Sequence, residues 1–184
     1  MIFKETSLAG AFTIEPERRE DQRGFFARTF CVKEFEQHNL DSRLVQANYA
    51  FSKSKGTLRG LHYQRSPMSE TKIVHCIHGA IWDVIVDLRQ SSPTFGKWFA
   101  EELTSNNRKI MYVPKGFAHG MLTLTDDVEV LYMVSEFYSP THERGIRWND
   151  PFLNIVWPNV PTIISAKDNS WSDFNPHDLL GSIT

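Results

Sequence analysis

Residues 75–89, HCIHGAIWDVIVDLR, constrain the fold more than any other stretch of this chain. The run is rich in β-branched and aromatic residues, which favour a pleated surface. It is too long for one flat strand, and Gly79 is where it is expected to break. Past that glycine, Trp82, Val84, Val86 and Leu88 alternate with Ile81, Asp83, Ile85 and Asp87. The period is two, with a polar element on one face. KIMYVP (109–114), FAHGMLTLTD (117–126) and VEVLYMVSEFYS (128–139) read as further strands, separated by Pro114-Lys115-Gly116 and Thr125-Asp126-Asp127. Helical signals are few. VKEFEQHN (32–39) is the best, and NDPF (149–152) reads as a turn. Many short strands with turns between them predict a mainly β chain, a sandwich or barrel with a few short helices.

The 184 residues suit a single domain spanning the whole chain, and they are enough to bury a core. No repeat or linker interrupts them, and the terminal DLLGSIT (178–184) is expected to fray. A formal net charge of -2 gives no global reason to bind nucleic acid or a membrane surface. No apolar run approaches the ~20 residues that span a bilayer. MIFKETSLAG lacks the apolar core of a signal peptide, so Cys31 and Cys76 read as reduced thiols of a cytoplasmic protein.

Chemistry-bearing residues are scattered over separate β segments. LRGLHYQ (58–64) embeds His62 in a short apolar strand beside Arg59; alone, such a histidine is more often structural. GFAHG (116–120) sets His119 among small residues, which suits a ligand or a tight turn equally. Asp83 on its strand face needs a partner or solvent. Tyr132 sits in an apolar run, so its hydroxyl needs a partner if buried. Tyr132, Val134 and Tyr138 share parity if their strand runs unbroken. Asp168 in SAKD (165–168) could simply cap a turn. Together these residues suit a site inside a barrel. A metal is disfavoured: Tyr63 and Gln64 follow His62, so there is no H-x-H, and His75 and His78 have opposite parity. Neither G-x-G-x-x-G nor a Walker motif appears.

The chain resembles the dTDP-4-dehydrorhamnose 3,5-epimerase family from about residue 2 to residue 174. The resemblance rests on DQRGFF (21–26), SKSKGTLRGLHYQ (52–64), SPTFGKW (92–98), VPKGFAHGMLTL (113–124), LYMVSEFYSP (131–140), RGIRWNDP (144–151) and SAKD (165–168), in this order. It implies a cupin-type jelly roll that inverts a nucleotide-linked 4-keto-6-deoxy sugar with no cofactor and no metal. By the same resemblance His62 is the catalytic base, Asp168 its orienting carboxylate, Tyr132 the acid on the opposite face of the sugar, and Lys72 the cation at the 4-keto oxygen. Arg23 and Arg59 hold the pyrophosphate, His119 is a second site histidine, Tyr138 lies near the nucleoside, and Asp83 is a supporting residue. Gln46, Asn48, Phe26, Arg28 and Arg19 fall on substrate-binding positions. The resemblance also implies a homodimer whose N-terminal segment completes the partner's site.

The expected chemistry needs no redox step. A C4 ketone acidifies the hydrogens on C3 and C5, because each carbanion is delocalised as an enolate, which a fixed cation stabilises. Against the family pattern, Arg19 stands where an aromatic is usual, Arg28 where a glutamate contacts the base, and Ala47 where VQDN has aspartate. An arginine cannot accept the thymine imide hydrogen. Cytidine or guanosine diphosphate is therefore an alternative handle. Inversion at C3 or C5 alone, a non-catalytic sugar-nucleotide-binding jelly roll and a metal-dependent cupin are the competing readings.

Overall fold

The computed structural model describes residues 1–176, so DLLGSIT lies outside the described residues. In chain order the elements are β1 (Ile2–Glu5), β2 (Phe12–Glu15), β3 (Arg19–Asp21), β4 (Gly24–Phe26), α1 (Val32–Gln37), β5 (Gln46–Ser52), β6 (Thr57–Gln64) and β7 (Lys72–His78). They continue with β8 (Ala80–Asp87), β9 (Trp98–Thr104), β10 (Ile110–Val113), β11 (Phe117–Thr123), β12 (Val128–Val134), β13 (Glu143–Gly145), β14 (Ile163–Ile164) and α2 (Ala166–Asn169). The first sheet runs β1-β2-β10-β7-β12-β5. The second runs β13-β6-β11-β8-β9, with β14 parallel to β6. β3 and β4 form a separate hairpin.

The alternation read in the sequence decides which side chains meet between the sheets. Val74, Cys76, Met111, Val113, Val128 and Val130 face Ile81, Ile85, Leu103, Phe117 and Met121 in one shared core. Their neighbours of opposite parity fill two outer layers. Val84, Val86 and Ala118 pack under Ile146, Leu153 and Ile155 on the far side of the second sheet. Ile14, Ile73 and Ile110 pack under Phe35 of α1 on the far side of the first. The product is a mainly β sandwich whose sheets do not close. Among the described residues no helix is long and apolar enough to cross a membrane.

Element ends have local causes. The 75–89 run breaks at Gly79, which has φ +75°; a Cβ there would lie 2.6 Å from Thr125 Oγ1 and 2.9 Å from Val128 Cγ2. α1 stops at Gln37 rather than Asn39, because Asn39 turns left-handed at φ 57°. β11 stops at Thr123, whose hydroxyl is taken by Thr57 N–H and Ser54 O. NDPF is a turn, in which buried Asp150 accepts from the amides of Phe152 and Leu153. β12 ends at Val134, so Tyr138 lies beyond the strand and the shared parity of Tyr132 and Tyr138 does not hold. There Thr71 and Ser135 bind each other instead, Thr71 N–H to Ser135 Oγ at 2.8 Å and Ser135 N–H to Thr71 O at 3.1 Å.

Candidate active site

On an ideal strand Arg59 and His62 would face opposite ways. β6 avoids this with a bulge: its register against β11 shifts between His119↔His62 and Met121↔Arg59. Gly60 makes the bulge possible. It has φ +118°, and a Cβ would lie 2.5 Å from Gly120 Cα and 2.8 Å from His119 O. Leu58, Arg59 and His62 consequently line one cavity of about 470 Å³, together with Lys72, His119 and Tyr132. A second cavity of about 410 Å³ shares His62, Lys72 and Tyr132 with it and adds Gln46, Asn48, Glu70, Tyr138 and Glu143. The two form one groove between the sheets.

The two sheets contribute different chemistry. From the second come His62, Arg59 and His119; from the first come Lys72, Tyr132, Gln46 and Asn48. His62 Nε2 lies 2.5 Å from Asp168 Oδ1, and Asp168 Oδ2 accepts from Gly60 N–H at 3.2 Å. Asp168 is not a cap. Ser165 caps α2, accepting from Asp168 N–H at 3.0 Å, and this leaves the buried carboxylate for His62. Burial pushes the Asp168 carboxyl up, but the hydrogen bonds from His62, Gly60 and Ser165 outweigh it and hold it below its ordinary value. It therefore stays ionised at neutral pH, accepts Nε2–H and leaves Nδ1 as the basic atom.

A second histidine is held similarly. His119 Nε2 is 2.7 Å from Asp83 Oδ1, and Asp83 is fully buried. Lys72 is buried, with Nζ 3.1 Å from Glu70 Oε1. Burial, reinforced by the Glu70 charge, holds the Tyr132 phenol above its ordinary value, against a smaller opposing pull from Arg59. Tyr132 is therefore protonated at neutral pH and able to donate. Arg59 reaches across to β5, donating to Ser52 Oγ at 3.0 Å and Phe51 O at 2.9 Å. Tyr138 N–H donates to Gln46 Oε1 at 2.8 Å, and its hydroxyl to Glu143 at 2.7 Å.

Three charged lining residues escaped the sequence reading: Glu70, Glu143 and Lys167, the last two paired at 2.6 Å. All are charged residues on a loop, a short edge strand or a single helical turn, where no periodicity marks them. Four expected residues are not brought to the groove in this chain. Arg23 and Phe26 are exposed on the β3–β4 hairpin, with Arg23 paired to Asp21. Arg19, Phe26 and Arg28 line a small separate cavity, where Arg28 pairs with Glu34 at 2.7 Å. Among the described residues no three His, Cys, Asp or Glu side chains cluster so as to hold a metal ion.

A family model for dTDP-4-dehydrorhamnose 3,5-epimerase matches residues 5–176. The chain belongs to the dTDP-4-dehydrorhamnose 3,5-epimerase family. An epimerase of that name from Sinorhizobium fredii is 43% identical over 171 residues, covering 92% of this chain and 88% of its own. The crystal structure of the epimerase from Elizabethkingia anophelis superposes with a TM-score of 0.92 at 39% identity, over 95% of this chain and 96% of that one. The Bacillus anthracis epimerase, crystallised with TDP and PPi bound, gives 0.90 at 42% identity over 94% and 100%. These epimerase structures are cupin-like jelly rolls, and the sandwich described above is of that kind.

Proposed function

We propose that this chain epimerises a TDP-linked 4-keto-6-deoxyhexose at C3 and C5, in the biosynthesis of an activated deoxysugar. The observation that carries the proposal is the opposition of two sheets across one groove: a carboxylate-held histidine on one side, a protonated tyrosine and a lysine on the other. Nδ1 of His62 takes the proton from the carbon next to the ketone. The electron pair moves into the C4 carbonyl, and the enolate oxygen meets the Lys72 ammonium, an interaction worth ~3 kcal/mol or more when preorganised. The Tyr132 hydroxyl then delivers a proton to the opposite face, which inverts the carbon, and solvent restores both groups. Arg59 grips phosphate oxygens, so binding far from the sugar aligns C3 and C5 with the base. His119, fixed by Asp83, holds a sugar oxygen.

Gln46, Asn48 and Tyr138 line the outer part of the groove and receive the nucleoside. Arg23, Phe26, Arg19 and Arg28 act on the groove of a second copy, so the working unit is a cytoplasmic homodimer. Two surfaces support this: the exposed hairpin, and the part of the first sheet's outer face that α1 leaves uncovered, where Tyr49, Phe51 and Ile77 are exposed.

Incubation with TDP-4-keto-6-deoxyglucose in deuterium oxide tests the proposal by proton NMR. Deuterium enters C3 and C5 with inversion of both. Incorporation at one carbon would mean a single-centre enzyme, and no incorporation would sink the epimerase reading. Parallel titration with TDP, CDP and GDP identifies the handle; tightest binding of CDP or GDP would displace TDP.

A further inference from the structure

We propose that Gln64 is a positioning residue tying the Lys72 cation to the loop that carries Tyr138, so that one side chain sets both the sugar end and the nucleoside end of the groove. The inference rests on the epimerase reading. Gln64 ends LRGLHYQ, two residues past His62, and takes no part in the chemistry above. It is only 3% exposed. Its Nε2 lies 2.9 Å from Met68 O, 3.1 Å from Glu70 Oε2 and 3.1 Å from Phe137 O, so three acceptors share two hydrogens. Its Oε1 accepts from Ser139 N–H at 2.6 Å.

The two ends of this network are the two ends of the site. The other oxygen of Glu70 holds Lys72 Nζ, and both side chains are close to fully buried. Phe137 and Ser139 flank Tyr138, so binding one's carbonyl and the other's amide fixes the backbone on either side of that ring. Only a side-chain amide offers donors and an acceptor on one planar group. A methionine of similar length leaves Phe137 O and Ser139 N–H unpaired. A glutamate keeps the acceptor for Ser139 but repels Glu70.

Three variants separate the two ends: Glu70→Gln, Gln64→Met and Gln64→Glu. The readouts are kcat for solvent deuterium exchange on TDP-4-keto-6-deoxyglucose and the calorimetric Kd for TDP. Glu70→Gln is expected to lower kcat ~tenfold while TDP Kd stays within about twofold, because only the Lys72 end is disturbed. Gln64→Met is expected to lower kcat by a similar factor and also raise TDP Kd ~fivefold. Gln64→Glu shows the kcat loss with a smaller change in Kd. A merely structural glutamine would lower the melting temperature and leave kcat per folded site and Kd alone. Gln64→Met with both values within twofold of wild type, or with only one of them moved, overturns the proposal. If the Gln64 variants fail to fold, unchanged kcat in Glu70→Gln overturns it instead. Wild type without exchange would remove the epimerase reading. In that case the TDP Kd of Gln64→Met decides, and unchanged affinity overturns the proposal.

Discussion

His62 is held by Asp168 through one nitrogen, and that hydrogen bond selects the other as the basic atom. His62→Ala is expected to abolish deuterium exchange while TDP affinity stays within about twofold, because affinity comes from the phosphate and nucleoside contacts. Retained exchange would place the base elsewhere. Tyr132→Phe separates the half-reactions: His62 still withdraws the proton, so exchange continues with retention, but inversion is lost. Inverted product from Tyr132→Phe would mean another acid. A third residue bears on stability. Burial lowers His75 from 6.5 to about 4, so the folded chain refuses a proton that the unfolded chain accepts below pH 6.5. Stability is therefore full above pH 6.5 and declines as the pH falls toward 4, by ~2 kcal/mol at pH 5. Urea midpoints at pH 7 and pH 5 measure this, and His75→Leu should remove that part of the slope. An equal slope in the variant would refute it. Residue identities were the most legible level, because motif order marks His62, Tyr132 and Asp168; Lys72 lies outside the motifs. Partnerships were not. His119 and Asp83 meet as diagonal cross-strand neighbours, and the register that makes them so, Met121↔Asp83, is written in no local spacing.

At the scale of elements, β6 carries the device on which the groove depends. A regular strand would turn Arg59 away from His62; the bulge at Gly60 brings both to one cavity. Gly60→Ala is expected to destabilise the fold by ~3 kcal/mol, combining a left-handed φ with a Cβ driven into the backbone of β11. The folded fraction should also lose exchange activity, because His62 and Gly60 N–H both move off Asp168. A variant with wild-type melting temperature and activity would show that the bulge is dispensable. The parity conflict was visible in the sequence, and so was its remedy in Gly60. What escaped was the far end of β12: a run of β-formers continues to Tyr138, but the Thr71–Ser135 hydrogen bonds and the grip of Gln64 on the next residues end the strand at Val134. Tertiary bonding overrides local propensity there.

At the scale of the whole molecule, one chain does not assemble all the residues that the family resemblance assigns to the site. Arg23 and Phe26 project on a hairpin whose three-residue strands contact only each other as a sheet. A hairpin with an exposed arginine and an exposed phenylalanine is suited to a phosphate and a base, yet His62 of the same chain lies in another cavity. The proposed symmetric dimer would resolve this by exchanging hairpins, and such an exchange makes a prediction that no intrachain site shares. Arg23→Ala and His62→Ala subunits are each expected to be inactive as homodimers at limiting substrate. When they are unfolded together and refolded in equal amounts, half the dimers are mixed. In each mixed dimer one groove combines His62 of one subunit with Arg23 of the other and is intact. Activity should therefore return to about a quarter of wild type. If Arg23 served its own chain, every groove in the mixture would lack one residue or the other. The mixture would then stay as inactive as its parents, and the exchanged hairpin would be ruled out.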